Sequence, residues 1–459
     1  MKLHYLFEQK NIKDILLKNG LKLESISSKM KMFQNSTKKL SELGYSDDCN
    51  VFAYFVPGRL EVLGKHTDYA GGNSLICAAD RGFCITSVSR NDNLIRVFNT
   101  GSGDNTVFDL SKEIEAQKGS WENYPANVLR RLKFNFGDDI KGCDIAFDSD
   151  LPLASGMSSS SALIIAMFFA VAGANDLFEN SKFKSNIENK IHLAEYLANI
   201  ENGLTFRELE GRKGVGTFGG SEDHTAIINC KPGKVSEFSY CPIEFQREIQ
   251  IPENYRFVIA SSGVHAVKTG NAMESYNLAS KLVQTLLKMW NENKNTSYAD
   301  LNSAITSSDF SREELYKIIE NSDDKIYSNQ QLIERFEHFY SENYEIIPEA
   351  IIFFNENSIQ KFAKAVDRSQ KLTSELLKNQ VEQTEFLTKS AKISGAVTAS
   401  SFGAGFGGSV WSLVNHNKLS EFIENWKTSY QEKYPEEFSK SEFFTINAGP
   451  AAFKLDFSS

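Results

Sequence analysis

The sequence has no surplus of basic charge: 50 lysines and arginines stand against 59 aspartates and glutamates, a formal net charge of −9. A general nucleic-acid binder needs the opposite balance, because its affinity comes from cations on phosphates. No nucleic-acid partner is expected, although a local basic pocket for a small anion stays open. Cysteine is scarce and scattered. Cys49, Cys77, Cys84, Cys143, Cys230 and Cys241 form no C-x-x-C and no Cys/His cluster at zinc-site spacing. They read as small core residues of a reducing compartment. No apolar run is long enough to span a bilayer; the longest, residues 162–173, falls short of the roughly 20 needed. The opening residues Met1-Lys2-Leu3-His4 lack a signal peptide's apolar core. These absences predict a cytoplasmic protein with no membrane partner. Also missing are the GxxxxGK[ST] phosphate loop, the His-Arg-Asp loop of protein kinases, internal repeats and low-complexity linkers.

What is present is ordinary globular material, 41% hydrophobic and 24% charged over 459 residues, enough for roughly three domains or two large ones. Residues 12–17 and 30–43 read as amphipathic helices, with Lys29, Lys31, Lys38 and Lys39 on a solvated face. Residues 51–56 read as a strand ended by Pro57-Gly58, and 74–88 as two strand pieces broken near Arg81-Gly82. Residues 94–98 and 106–110 suit a hairpin. Helices are expected over 121–132, 160–174 and 190–202, with strands at 143–147 and 226–230. The texture then changes, which puts a domain boundary within 235–260. Beyond it come a strand at 256–261, polar helices across 271–390, a Gly/Ser-rich loop at 394–409 and a strand at 410–414.

Three segments carry chemistry. In Leu151-Pro152-Leu153-Ala154-Ser155-Gly156-Met157-Ser158-Ser159-Ser160-Ser161-Ala162, small residues let backbone approach a ligand and lead into a helix start. Free N–H groups there, with the helix dipole, make an anion site, and the hydroxyls add phosphate donors and Mg²⁺ ligands. One serine suffices for capping, so four in a row favour phosphate over a plain N-cap. Gly403-Ala404-Gly405-Phe406-Gly407-Gly408 is either a close backbone-to-ligand approach or a flexible loop. Val56-Pro57-Gly58-Arg59-Leu60-Glu61-Val62-Leu63-Gly64-Lys65-His66-Thr67-Asp68-Tyr69 packs polar groups between strand-like segments, which suits a hydroxyl-rich ligand or a solvated hairpin connection. A fourth segment, Gly214-Val215-Gly216-Thr217-Phe218-Gly219, is formally G-x-G-x-x-G. It follows charged residues rather than a hydrophobic strand, so a dinucleotide oxidoreductase rests on it alone.

In this order the segments PGRLEVLGKHTDYAGG, LPLASGMSSSSALIIA and GAGFGGS resemble the GHMP superfamily of small-molecule kinases, and within it the galactokinases. Trp121-Glu122-Asn123-Tyr124, Glu222-Asp223-His224 and residues 369–386 extend the likeness along nearly the full length. The resemblance implies a two-domain α+β fold, residues 1–245 and 246–459, with ATP and sugar in the cleft between. It implies phosphoryl transfer from ATP to a sugar's anomeric hydroxyl, with Asp223 accepting or orienting the hydroxyl proton and Arg59 stabilising nucleophile and phosphate. Lys65, His66, Asp68 and Tyr276 stand at sugar-binding positions. Ser155, Gly156, Met157, Ser158, Ser159, Ser160, Ser161 and Gly405 stand at ATP positions. Ser160 and Glu201 stand at Mg²⁺-ligand positions, with Glu195 the alternative.

The chain departs from that pattern in places. Lys65 replaces a glutamate that holds the sugar's outer hydroxyl in the family. An ammonium donates where a carboxylate accepts, so a uronic acid is one expectation; the other is that Lys65 pairs with Glu61, itself in place of the family's asparagine. Ala154 replaces a glycine. The segment 203–213 is an insertion, read as a lid or an oligomer contact. A non-catalytic sugar sensor on the same fold is the alternative to an enzyme.

Overall fold

The computed structural model describes residues 1–117, 119–152, 156–264, 271–322, 326–356 and 358–456. The strands are β1 (Phe52–Leu63), β2 (Asn73–Ser89), β3 (Leu94–Asn99), β4 (Asn105–Asp109), β5 (Cys143–Ser149), β6 (Lys234–Ser239), β7 (Glu244–Gln250), β8 (Tyr255–Ser261), β9 (Thr398–Phe402), β10 (Ser409–Asn415), β11 (Glu442–Ile446) and β12 (Phe453–Lys454). One sheet runs β12-β1-β2-β5-β3-β4, with β6 and β7 continuing from the other part of β2; the second runs β11-β8-β10-β9. The fold is α+β, and among the described residues every strand pair is antiparallel except β3 with β5.

The first seven helices are α1 (Gln9–Lys18), α2 (Leu23–Glu42), α3 (Asn123–Phe136), α4 (Ser159–Ala174), α5 (Ser181–Asn186), α6 (Lys190–Asn202) and α7 (Glu222–Asn229). α2 covers one face of the large sheet over β2 and β5, and α4 covers the other over β1 and β2. Covered on both faces, β1 and β2 are buried almost end to end, which is why they read as unbroken apolar runs. α4 is apolar all round because it is itself sandwiched. The later helices include α8 (Asn271–Lys294), α9 (Leu301–Ile305), α10 (Arg312–Glu320), α11 (Asn329–Ser341), α12 (Ile347–Asn355), α13 (Ile359–Leu372) and α14 (Glu382–Ile393). α8 to α11 build a separate helical core around Trp290 and Phe336. Among the described residues no helix is long and apolar enough to cross a membrane.

Several segments differ from the sequence reading. Pro57-Gly58 does not end β1; the strand runs through them with a register shift against β2 between Pro57 and Arg59. Gly58 is needed there, since a Cβ would sit 2.6 Å from Leu151 Cδ2 and 2.8 Å from the Met157 carbonyl. β2 is likewise one strand through Arg81-Gly82. Residues 226–230, apolar and β-branched, are not a strand but mostly the last turns of α7. Acidic residues open that helix and its apolar side packs on β1 and β2, so helix dipole and packing override strand propensity. The loop at 394–409 is half strand, β9, leaving 403–408 as the connection to β10.

Lys29 is not solvated. It lies on the inward stripe of α2 with Ile26, Phe33, Thr37 and Leu40 and pairs with Asp150. The expected divide at 245/246 falls inside β7, which pairs with β6 of the large sheet; the second sheet begins with β8, and β12 returns to β1. The insertion 203–213 is pinned rather than free. Phe206 and Leu209 are buried in the main core, and Arg131 donates to the Leu204 and Leu209 carbonyls at 2.7 and 3.0 Å.

Candidate active site

β1 carries Arg59 and Glu61 to the wall of a cavity of about 730 Å³. The start of α4 brings Gly156 and Ser158 to Ser161, α6 brings Glu201, α7 brings Glu222 and Asp223, and the loop 403–408 closes it from the second sheet. The cavity thus gathers residues more than 300 positions apart.

At its centre the Arg59 Nε–H donates to Asp223 Oδ1 at 2.7 Å, and the guanidinium also donates to the Gly156 carbonyl. Arg59 is only 4% exposed. Burial opposes its charge, but Asp223, Glu61 and Glu222 outweigh that and hold it protonated. The Ser161 hydroxyl donates to Glu201 Oε2 at 2.8 Å and stands 3.3 Å from Asp223 Oδ2. The carboxylate at 223 and the serine row therefore meet.

The row itself is built as an anion site. The first backbone bond of α4 runs from Ala162 N–H to the Ser158 carbonyl, which leaves the N–H groups of Ser159 to Ser161 without intrahelical partners. Gly156 and Ser158 both have left-handed φ, 73° and 55°, which swings the chain into the helix. The Ser158 hydroxyl is buried with no partner among the described residues, an unpaired donor of the kind a phosphate would satisfy. Tyr124 is within hydrogen-bonding reach of Ser160. Beyond the row the wall turns aromatic and apolar, with Trp121, Tyr124, Phe147 and Leu163. Gly405 lines the cavity; Met157 does not, turning its side chain into the core while its carbonyl accepts the Arg59 backbone N–H at 3.2 Å. Ser155 lies outside the described residues.

At the other end, His66 Nδ1 is 2.8 Å from the Tyr69 hydroxyl and its ring lies 5.7 Å from that of Tyr276. Asp68 Oδ1 accepts the Tyr69 N–H at 2.9 Å and Oδ2 the Glu222 N–H at 3.1 Å, so it caps α7 as well as facing the cavity. Burial raises its pKa, countered by those two N–H groups. Gly220 is forced by the same contact: a Cβ there would fall 2.0 Å from Asp68 Oδ2. The glycine run 214–220 thus serves a tight wall rather than a dinucleotide.

Lys65 is the main correction. It does not line the cavity. It is 1% exposed and its ammonium donates to Ser400 Oγ at 2.7 Å and to Thr373 Oγ1 and Gln370 Oε1, each at 3.3 Å. It ties the turn after β1 to the helices and β9, and forms no salt bridge with Glu61 among the described residues. Burial lowers its pKa to about 8, against the pull of Glu342 and Glu61. With Lys65 turned away, the expectation of a uronic acid loses its basis. Glu195 also lies off the cavity wall, whereas Glu201 is on it. Sequence reasoning missed Arg335, fully buried on α11, which donates to the His66 carbonyl and so fixes that turn. It sits in a helix that looked polar and solvated, and only its place among Leu332, Phe336 and Phe339 on the inner face marks it.

The GHMP kinases N terminal domain matches residues 123–205, and the galactokinase galactose-binding signature matches residues 42–87. A galactokinase of Clostridium acetobutylicum is 27% identical over 415 residues, covering 89% of this chain and 95% of its own. One of Glaesserella parasuis is 25% identical over 406 residues, covering 87% and 94%. Among solved structures, Lactococcus lactis galactokinase complexed with galactose superposes with a TM-score of 0.72 at 22% identity, covering 91% of this chain and 98% of that one. A mevalonate kinase follows at 0.52 and 14%, covering 87% and 99%. Over most of its length this chain is similar to galactokinases, sugar kinases of the GHMP superfamily.

Proposed function

We propose that this protein transfers the γ-phosphoryl group of ATP to the anomeric hydroxyl of galactose or a closely related neutral monosaccharide. The observation that carries the reading is the contact of three elements in one cavity: Arg59 on Asp223, and Asp223 beside Ser161 at the open start of α4. Phosphoryl transfer needs positioning and charge neutralisation more than covalent chemistry. The helix start, Gly156 and Ser158 to Ser161 take the phosphates, and the aromatic wall takes the base. Asp223 accepts or orients the sugar hydroxyl's proton. Arg59 sits where it meets both the nucleophile and the transferring group. His66, Asp68 and Tyr276 face the same space and suit the hydroxyls of a sugar.

Mg²⁺ fits the donor set. Ser160, Ser161 and Glu201 present oxygens at the phosphate end, and no group of three or more acidic, His or Cys ligands exists among the described residues. That is what an ion completed by phosphates and water needs. Ser160 and Glu201 would hold it, and it would neutralise charge on the phosphate oxygens. We place the domain divide between β7 and β8, with β12 crossing back. The test is ADP release with ATP, Mg²⁺ and a panel of neutral, amino and uronic sugars. Turnover with a neutral hexose is expected. Sugar binding without ADP formation would point to a sensor instead.

A further inference from the structure

Glu61 and Glu222 have no task in the reaction just described, yet they sit beside its centre. Glu61 is two residues beyond Arg59 on β1, hence on the same face, and Glu222 directly precedes Asp223 on α7. They are 4% and 5% exposed, both line the cavity, and their side chains are within hydrogen-bonding reach of one another. Oε1 of each has no hydrogen-bond donor among the described residues. Arg59 Nε is 3.7 Å from Glu222 Oε1 and 2.7 Å from Asp223 Oδ1, so one guanidinium serves several acids.

The charges around the pair do not balance if all the acids ionise. Arg59 and the more distant Lys65 supply two positive charges. Against them stand Glu61, Glu222, Asp223 and, across the turn, Asp68. The remaining titratable neighbours, Tyr69, Tyr240 and Cys230, are all driven by burial toward their neutral forms. Two carboxylates in contact in such a place cannot both be charged.

We propose that Glu61 and Glu222 share one proton as a carboxyl–carboxylate pair, and that this pair positions Arg59. With the proton in place the guanidinium stays on Asp223 and Gly156, facing the transferring group. When the proton leaves, the second negative charge draws Nε toward Glu222 and weakens that alignment. Burial raises both acids, Glu61 to about 7 and Glu222 well above its ordinary range, so the loss falls in the neutral to alkaline region. The activity arm of the proposal rests on the sugar-kinase reading; the proton itself does not.

Two measurements on the full chain separate these. The first is infrared difference spectroscopy between pH 6.5 and 9, above the range where ordinary glutamates hold protons, on ligand-free protein labelled with 13C-glutamate. A protonated glutamate carbonyl band that disappears as pH rises is expected, and it should be missing from Glu61→Gln and Glu222→Gln. No such band in the labelled wild-type protein, a result that needs no variant to fold, would overturn the pair. The second is kcat against pH. Wild-type turnover should fall about tenfold per pH unit beyond the midpoint, the slope of losing one proton. Glu61→Gln, which mimics the protonated acid, should remove that fall, whereas Glu61→Asp, which keeps a second carboxyl beside Glu222, should retain it. An unchanged alkaline fall in Glu61→Gln would defeat the positioning role. If no sugar is turned over, the kinase reading fails while the infrared result still decides the pair.

Discussion

At the serine end of the cavity the donors are backbone N–H groups and hydroxyls at a helix start, Gly156 and Ser158 to Ser161. At the other end, around β1 and α7, stand ionisable side chains: the buried Arg59, Glu61, Asp68 and Glu222, and the part-exposed Asp223. The first end offers an anion fixed dipoles that carry no proton to lose. The second depends on which acids are charged. The difference predicts that nucleotide binding is insensitive to pH over the neutral range, and that sugar turnover is not.

The largest expected break in this contrast is Asp223→Ala. A positioned general base contributes typically 10²–10⁴-fold, so kcat should fall by about 3–5 kcal/mol in barrier, with ATP binding kept. Steady-state kinetics and nucleotide calorimetry together check both halves. At the serine end, Ser158→Ala removes a buried donor that has no partner among the described residues. The KM for ATP should rise by ~1.5–3 kcal/mol, about 10–150-fold, the range for a hydrogen bond to a charged group, while the thermal midpoint holds.

Gly220→Ala sharpens the other end by forcing Asp68 aside. The sugar KM should rise while the ATP KM does not, at an overpacking cost of ~1–3 kcal/mol. The smallest effect concerns Lys65. Its folded pKa of about 8 lies below its ordinary 10.5, so between those values the unfolded chain binds the proton that the folded chain releases. Stability then rises with pH across that window. The raised Glu61 acts oppositely: the folded chain keeps a proton that the unfolded chain loses, so stability falls from about pH 4.5 to about 7. A thermal midpoint followed from pH 5 to 10 should dip near neutrality, and Lys65→Met should flatten only the alkaline rise.

Much of this site was legible because its residues sit in short motifs whose chemistry is local. The serines before an apolar helix announced themselves, the likeness to the galactokinases pointed to Arg59 and Asp223, and the cavity brings them together. Lys65 did not, because its partners, Gln370, Thr373 and Ser400, lie more than 300 residues away and nothing near position 65 names them. Glu222 looked like no more than the neighbour of Asp223 until α7 turned it onto Glu61. The misread strand at 226–230 has the same origin: Ala226, Ile227 and Ile228 suit either element, and only the sheet beneath α7 selects the helix. Lys29 was readable in principle, since its spacing from Ile26 and Phe33 puts it on the inward stripe, but its charge argued for solvent and Asp150 was out of sight.

The most direct measurement is 31P NMR of the purified protein with ATP, Mg²⁺ and galactose, followed over time. A growing phosphomonoester signal coupled to the sugar's anomeric proton, matched by ADP and abolished in Asp223→Ala, is the result predicted here. Inorganic phosphate alone, or a sugar phosphate formed equally well without the carboxylate at 223, would contradict it.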